Sequence, residues 1–202
     1  MVRQGILNIH ETADIHPSVI LEGNITIGAF TTVDAGSVLT GNITIGHHSL
    51  VRCNVTIRGT HQIGNFTHIY DNVCMEGGRP AGVGGAQTTK PDRSIIGDNC
   101  WINHGATMHG ARMADRAAVG LNASLDYNTR LGEDSIVTNG SATCANQVVP
   151  PNTMVGGVPA VIIKENITAD DRTAYFGVDT VAWTRFEGAD LIETRIRRRL
   201  GI

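Results

Sequence analysis

Two histidines, His104 and His109, stand five residues apart in the segment "NHGATMH". Neutral imidazole is the commonest metal ligand, and two on one rigid wall are the start of a metal centre. A catalytic zinc site needs a third donor and keeps a fourth position open for water. Most of the remaining histidines read as exposed polar positions without a role.

Whether these residues meet depends on the elements that carry them. In steps of six from Ile15, the positions Leu21, Ile27, Val33, Leu39, Ile45, Val51, Ile57, Ile63, Ile69 and Met75 are all aliphatic or Met. A second, mostly small series follows four residues after each: Val19, Thr31, Ser37, Ser49, Thr67 and Val73 among them, with His61 as its one bulky polar member. The apolar series resumes at Ile96, Ile102 and Met108. It slips by one residue, then runs through Met113, Val119, Leu125, Leu131 and Val137. A period of six fits neither a helix nor a long simple strand. It predicts a parallel β-helix of short strands and tight turns, its narrow interior filled by the repeated aliphatic residue. Glycines such as Gly28, Gly46, Gly64 and Gly97 are expected at the corners.

The phase breaks in "EGGRPAGVGGAQTTKPDRS". This insertion, 77–94, reads either as a surface loop or as a lid over a site at its base. The lid is favoured, because the insertion leaves after Glu76 and returns before His104 and His109. Beyond residue 164 the period becomes helical. Thr168 and Asp171 form a candidate capping box, and Leu191, Ile192, Ile196 and Leu200 recur at helical spacing. The expected organisation is a β-helix over 1–164 and a helical segment over 165–202, packed alongside.

The 202 residues carry a formal charge of -3 with no long block of one sign, which argues against a nucleic-acid partner or an anionic membrane. "RIRRRL" reads as the solvated face of a terminal helix. No run is long enough to span a membrane and no signal-peptide core is seen, so a cytoplasmic location is expected. Cys53, Cys74, Cys100 and Cys144 lack CxxC spacing and read as reduced thiols.

The segment "IGDNCWINHGATMHGARM", Ile96 to Met113, resembles the γ-class carbonic anhydrase family, whose pattern there is IG-D-x-x-x-IGH-x-A-x-LHG-x-x-I. "VVPPNTMVGGVPAVIIKE" is similar to the final coil and exit of the hexapeptide-repeat superfamily to which that family belongs. The resemblance implies a left-handed parallel β-helix with three hexads per coil, so that residues 18 apart stack. It implies a homotrimer with sites between subunits, Glu76 and His109 from one chain and His104 from the next. His104 and His109 match two of the family's metal histidines, and Glu76 stands where the third would be. Arg58, one coil from Glu76, leaves open an ion pair between them in place of a metal.

Other positions depart from the family. Its "RGD" reads Arg58-Gly59-Thr60, and its "N-x-Q-D" reads His68-Ile69-Tyr70-Asp71. Arg58 and Asp71, an intersubunit pair in the family, are kept. The resemblance therefore implies a divalent metal on Glu76, His104 and His109, zinc first, with manganese or iron open because of the carboxylate. Such an ion would acidify a bound water or polarise a carbonyl. The expected function is hydrolysis, hydration or elimination on a small organic substrate, with Tyr70, His68 and Arg58 as the catalytic groups. Carbon dioxide hydration should be weak. Carbonic anhydrase proper, a hexapeptide-repeat acyltransferase with one histidine base, and a non-catalytic trimeric scaffold are the alternatives.

Overall fold

The structure, a computed structural model, describes residues 2–77 and 93–202, with side chains from residue 5 onward. The lid expected over 77–94 falls almost wholly outside the described residues. The chain winds into a parallel β-solenoid of about 7 turns with helices at its C-terminal end.

One sheet of nine strands stacks two-residue strands, among them Thr32–Val33, Leu50–Val51, His68–Ile69, Trp101–Ile102, Ala118–Val119 and Ile136–Val137. A second sheet is built on the eight-residue strands Ile20–Ile27, Val38–Ile45 and Thr56–Ile63. Leu21 pairs with Leu39 and Leu39 with Ile57, a spacing of 18. Across the insertion the spacing widens to 33, as in Met75 with Met108, yet the phase is kept. It is 17 between Ile102 and Val119, the one-residue slip seen in the sequence, and returns to 18 between Met113 and Leu131. The hexad positions form the core, with Leu21, Val33, Leu39, Val51, Ile57 and Ile69 fully buried.

The small second series has a specific use. Ser49 Oγ donates to the Gly64 carbonyl at 2.9 Å and accepts from the Thr67 amide at 3.0 Å. Ser37 and Thr67 repeat this at their own corners. Each hydroxyl thus satisfies a carbonyl and an amide that the turn leaves unpaired.

The corner glycines are needed for a reason other than the expected one. Gly28, Gly46, Gly64 and Gly97 do not have positive φ. A Cβ on Gly28 would lie 2.6 Å from the Gly46 carbonyl carbon, so these glycines permit close stacking of coils. The left-handed positions are filled by other glycines, such as Gly36 and Gly105, and by Asn54, Asn72, Asn122 and others, as asparagine tolerates that region better than most residues.

After the antiparallel strand Val161–Glu165, helix α1 spans Ala169–Phe176. Its Thr168–Asp171 capping box is formed. Helix α2, Thr180–Arg185, is capped by Asp179 and runs on through a π-helical stretch, Phe186–Glu193, into α3, Thr194–Leu200. Ile192 and Ile196 pack with Phe30 and Leu50, but Leu191 and Leu200 are exposed. The stripe expected from the sequence is therefore narrower. Leu191 directly precedes Ile192 in sequence and so faces another side of the helix, and Leu200 is the last residue of α3. The helix rests close on the coil: a Cβ on Gly188 would be 2.7 Å from the His48 carbonyl oxygen. No described helix is long and apolar enough to cross a membrane.

Candidate metal centre

Strand alternation decides which side chains leave the core. Met75 and Met108 point inward, so Glu76 and His109 point outward, directly paired on adjacent coils. His109 Nε2 and Glu76 Oε2 are 3.9 Å apart and both side chains are more than half exposed. Arg58 is the register partner of Glu76 on the preceding coil, but the two make no ion pair. The pairing that would have neutralised Glu76 is not formed.

His104 sits at the corner after Trp101–Ile102, one coil beyond Asp71, whose carbonyl accepts the Gly105 amide at 3.0 Å. His104 Nδ1 lies 3.0 Å from Asp71 Oδ2, while Asp71 Oδ1 accepts from the Cys53 amide at 3.0 Å. A carboxylate on one ring nitrogen is the usual support for a metal-binding histidine, since it fixes the tautomer and directs the other nitrogen to the ion. The donor set therefore fits a divalent cation in kind: Glu76 and His109 as one pair, His104 with Nε2 available. Among the described residues of one chain, no three such side chains converge.

His68 and Tyr70 lie elsewhere, under the C-terminal helices. His68 is fully buried, stacked with Trp101 at 6.2 Å between centroids. Its Nδ1 is 3.5 Å from the Tyr70 hydroxyl and 3.4 Å from Glu187 Oε2. Burial, with Arg52 adding positive charge nearby, pulls the His68 pKa down to about 3. Glu187 would favour the charged imidazole, but it is already engaged by Arg52 and by Trp183 Nε1, so burial prevails. Burial, then the charge of Glu187, raises the Tyr70 phenol above its ordinary range, with Arg52 opposing. Near neutral pH the pair is an uncharged imidazole and an uncharged phenol. The Tyr70 ring also lies 5.0 Å from the His104 ring and so links this corner to the candidate ligands.

His10, His16 and His47 are exposed, whereas His61 and His68 are buried. His61 fills an interior small-residue position and its Nε2 donates to the Arg58 carbonyl at 2.8 Å. Arg52, Trp183 and Glu187 were not singled out in the sequence. Glu187 meets Arg52 across 135 residues, and no local pattern signals such a contact.

No family model matches the chain. A Methanocaldococcus jannaschii protein named a probable carbonic anhydrase is 35% identical over 72 residues, 36% of this chain and 45% of that protein. The mitochondrial gamma carbonic anhydrase 2 of Arabidopsis thaliana is 32% identical over 72 residues, 36% of this chain and 26% of that one. The carnitine operon protein CaiE of Escherichia coli is 29% identical over 110 residues, 53% of this chain and 55% of CaiE. The matches thus span about half or less of these relatives.

Two solved structures share the fold. One is a Bacillus cereus protein named provisionally as an acetyltransferase, with TM-score 0.61 and 21% identity, covering 93% of this chain and 98% of that one. The other is a hexapeptide transferase family protein of Anaplasma phagocytophilum, with TM-score 0.56 and 18% identity, covering 91% and 96%. The class so defined is the left-handed β-helix built from hexapeptide repeats. Within that fold, part of the sequence is similar to proteins named as carbonic anhydrases.

Proposed function

We propose that the chain is a metal-dependent enzyme assembled as a trimer, in which Glu76 and His109 of one copy and His104 of the next hold one divalent ion, zinc first. The observation that carries this reading is the outward Glu76–His109 pair, 3.9 Å apart and not neutralised by Arg58, with His104 supported by Asp71 beside it. A divalent ion bound there would acidify water or polarise a carbonyl. The substrate is a small organic molecule, undergoing hydrolysis, hydration or elimination. Arg58, exposed next to Glu76, would attract an anionic group on that molecule. Tyr70 keeps its proton and acts as a hydrogen-bond donor. His68, neutral and enclosed, orients Tyr70 rather than exchanging protons with solvent. Carbon dioxide hydration is expected to be slight, because Thr60, Tyr70 and Glu76 replace three groups of the family pattern.

The test is elemental analysis of protein purified without chelator, paired with sedimentation. The expected result is a trimer carrying close to one zinc, manganese or iron per chain. His109→Ala should abolish retention of the metal. Asp71→Asn should weaken it by about 10- to 100-fold, the usual effect of losing a supporting carboxylate. A metal-free protein whose melting temperature ignores added zinc would overturn the proposal.

A further inference from the structure

A cleft of about 420 Å³ lies where the coil corner meets the C-terminal helices, lined by Arg52, Tyr70, Trp101, Val178, Trp183 and Glu187. None of these residues is among the candidate metal ligands. Its three aromatic rings come from three distant parts of the chain. Tyr70 and Trp101 are tilted by 47° with centroids 4.7 Å apart. Trp183 projects from α2, and its indole Nε1 donates to Glu187 at 2.9 Å, which fixes that ring on the wall. Val178 supplies an apolar side.

The charges have a definite balance. Arg52 is held by two carboxylates, Glu187 and Asp34. His68, behind Glu187, contributes no positive charge near neutral pH. The lining itself carries one cation, Arg52, and one anion, Glu187; Asp34 lies outside the lining and, by also pairing with Arg52, makes the wider surround negative. Arg52 also lies over none of the three rings: among the described residues the cation–π contact is Arg197 over Phe30. The electron-rich ring faces are therefore not taken up by the protein's own cation. Aromatic walls with a negative surround favour a weakly hydrated cation over an anion, which would meet Glu187. They also favour it over a bare metal ion, which would lose its water against apolar rings.

We propose that this cleft binds a small organic cation of the alkylated-ammonium class through Tyr70, Trp101 and Trp183. Because Tyr70 also touches His104, a bound cation would extend its remaining chain toward the candidate metal centre. That last link alone rests on the function proposed above.

The experiment titrates the chelator-treated full-length protein with tetramethylammonium, and in parallel with neopentyl alcohol, a neutral molecule of similar size, followed by ligand-observed NMR. Saturable binding of the cation, at least about tenfold tighter than the alcohol, is expected. Trp183→Leu should weaken cation binding about tenfold. Trp183→Phe, which loses the same hydrogen bond but keeps a ring, should retain most of it. Equal affinity for cation and alcohol, or Trp183→Leu binding as well as wild type, would overturn the proposal. If Trp183→Leu fails to fold by circular dichroism, Tyr70→Leu against Tyr70→Phe decides in the same way. Cation binding by a protein that never retains metal would remove the metal centre and leave the cleft standing. A metal-loaded protein that ignores the cation would do the reverse.

Discussion

The Glu76–His109 pair and the His68–Tyr70 corner come from neighbouring stretches of the same coils, yet their surroundings are opposite. Glu76 and His109 stand on an uncovered face, more than half exposed. His68 is sealed beneath the π-helical stretch, with Glu187, Arg52 and Trp101 around it. The coil supplies identical backbone geometry in both places, so the difference is made by what covers it. A bare coil face leaves ionisable side chains hydrated and free to take a ligand. A covered one removes water, depolarises histidine and tyrosine, and converts polar residues into a fixed wall.

The comparison is tested most sharply by deleting one carboxylate from each region. Glu187→Ala removes the partner of Trp183 Nε1 and of Arg52, in a side chain only 12% exposed. It should cost about 2–4 kcal/mol in urea unfolding, as expected for stranding charged and polar groups in a mostly dry site. Glu76→Ala should stay within about 0.5 kcal/mol, because its surroundings are already wet. Equal losses would show that burial does not separate the two regions.

A smaller effect should appear in pH dependence. The His68 pKa is about 3 in the fold, against an ordinary value of 6.5. The unfolded chain therefore binds the extra proton first as pH falls, and stability contributed by neutral His68 is present above 6.5 and lost progressively toward 3. Between pH 7 and pH 5 the loss should be about 2 kcal/mol. Glu187, Arg52 and Tyr70 face this ring; Glu187 is the group that could weaken the effect by stabilising the charged form. His68→Phe keeps a ring against Trp101 but cannot titrate, so the difference in slope between it and wild type isolates His68 from buried His61, whose pKa is also lowered by burial. Parallel slopes would mean that Glu187 offsets burial and leaves the His68 pKa unshifted, and a reversed difference would mean that it holds the ring charged.

Much of the coil is legible in the sequence because the six-residue period has one physical cause, a narrow interior repeated at each face. Even the slip before Met113 reappears as a 17-residue register. Glu76 and His109 could be paired on one face from the same phase. The neighbours of His68 could not, since Glu187 and the Thr184 backbone reach it from a helix whose docking depends on Gly188 and on the π-helical stretch. The period gives no sign of which coil face a later element will cover. His61 was visible as an exception to the small-residue series, and its inward direction follows from that phase, since it pairs with buried Ile43; the bond that satisfies its ring, to the Arg58 carbonyl, is what pattern alone does not reveal.

The smallest expected effect concerns the cover itself. Helical spacing groups Leu191 and Leu200 with Ile192 and Ile196, whereas the structure buries only the latter two. A residue that contributes to the cover should be costly to replace, and one that merely shares its spacing should not. Leu191→Ser and Leu200→Ser are each expected to change stability by about 0.5 kcal/mol or less, the scale of an exposed helical substitution. Ile196→Ala is the control that must lose clearly more, because Ile196 packs fully buried with Phe30 and Leu50. Thermal or urea unfolding of the three variants reads this directly. If Leu191→Ser matched Ile196→Ala, the helix would be docked by the full sequence stripe, and the narrower contact made through the π-helical stretch would not be the one that seals His68.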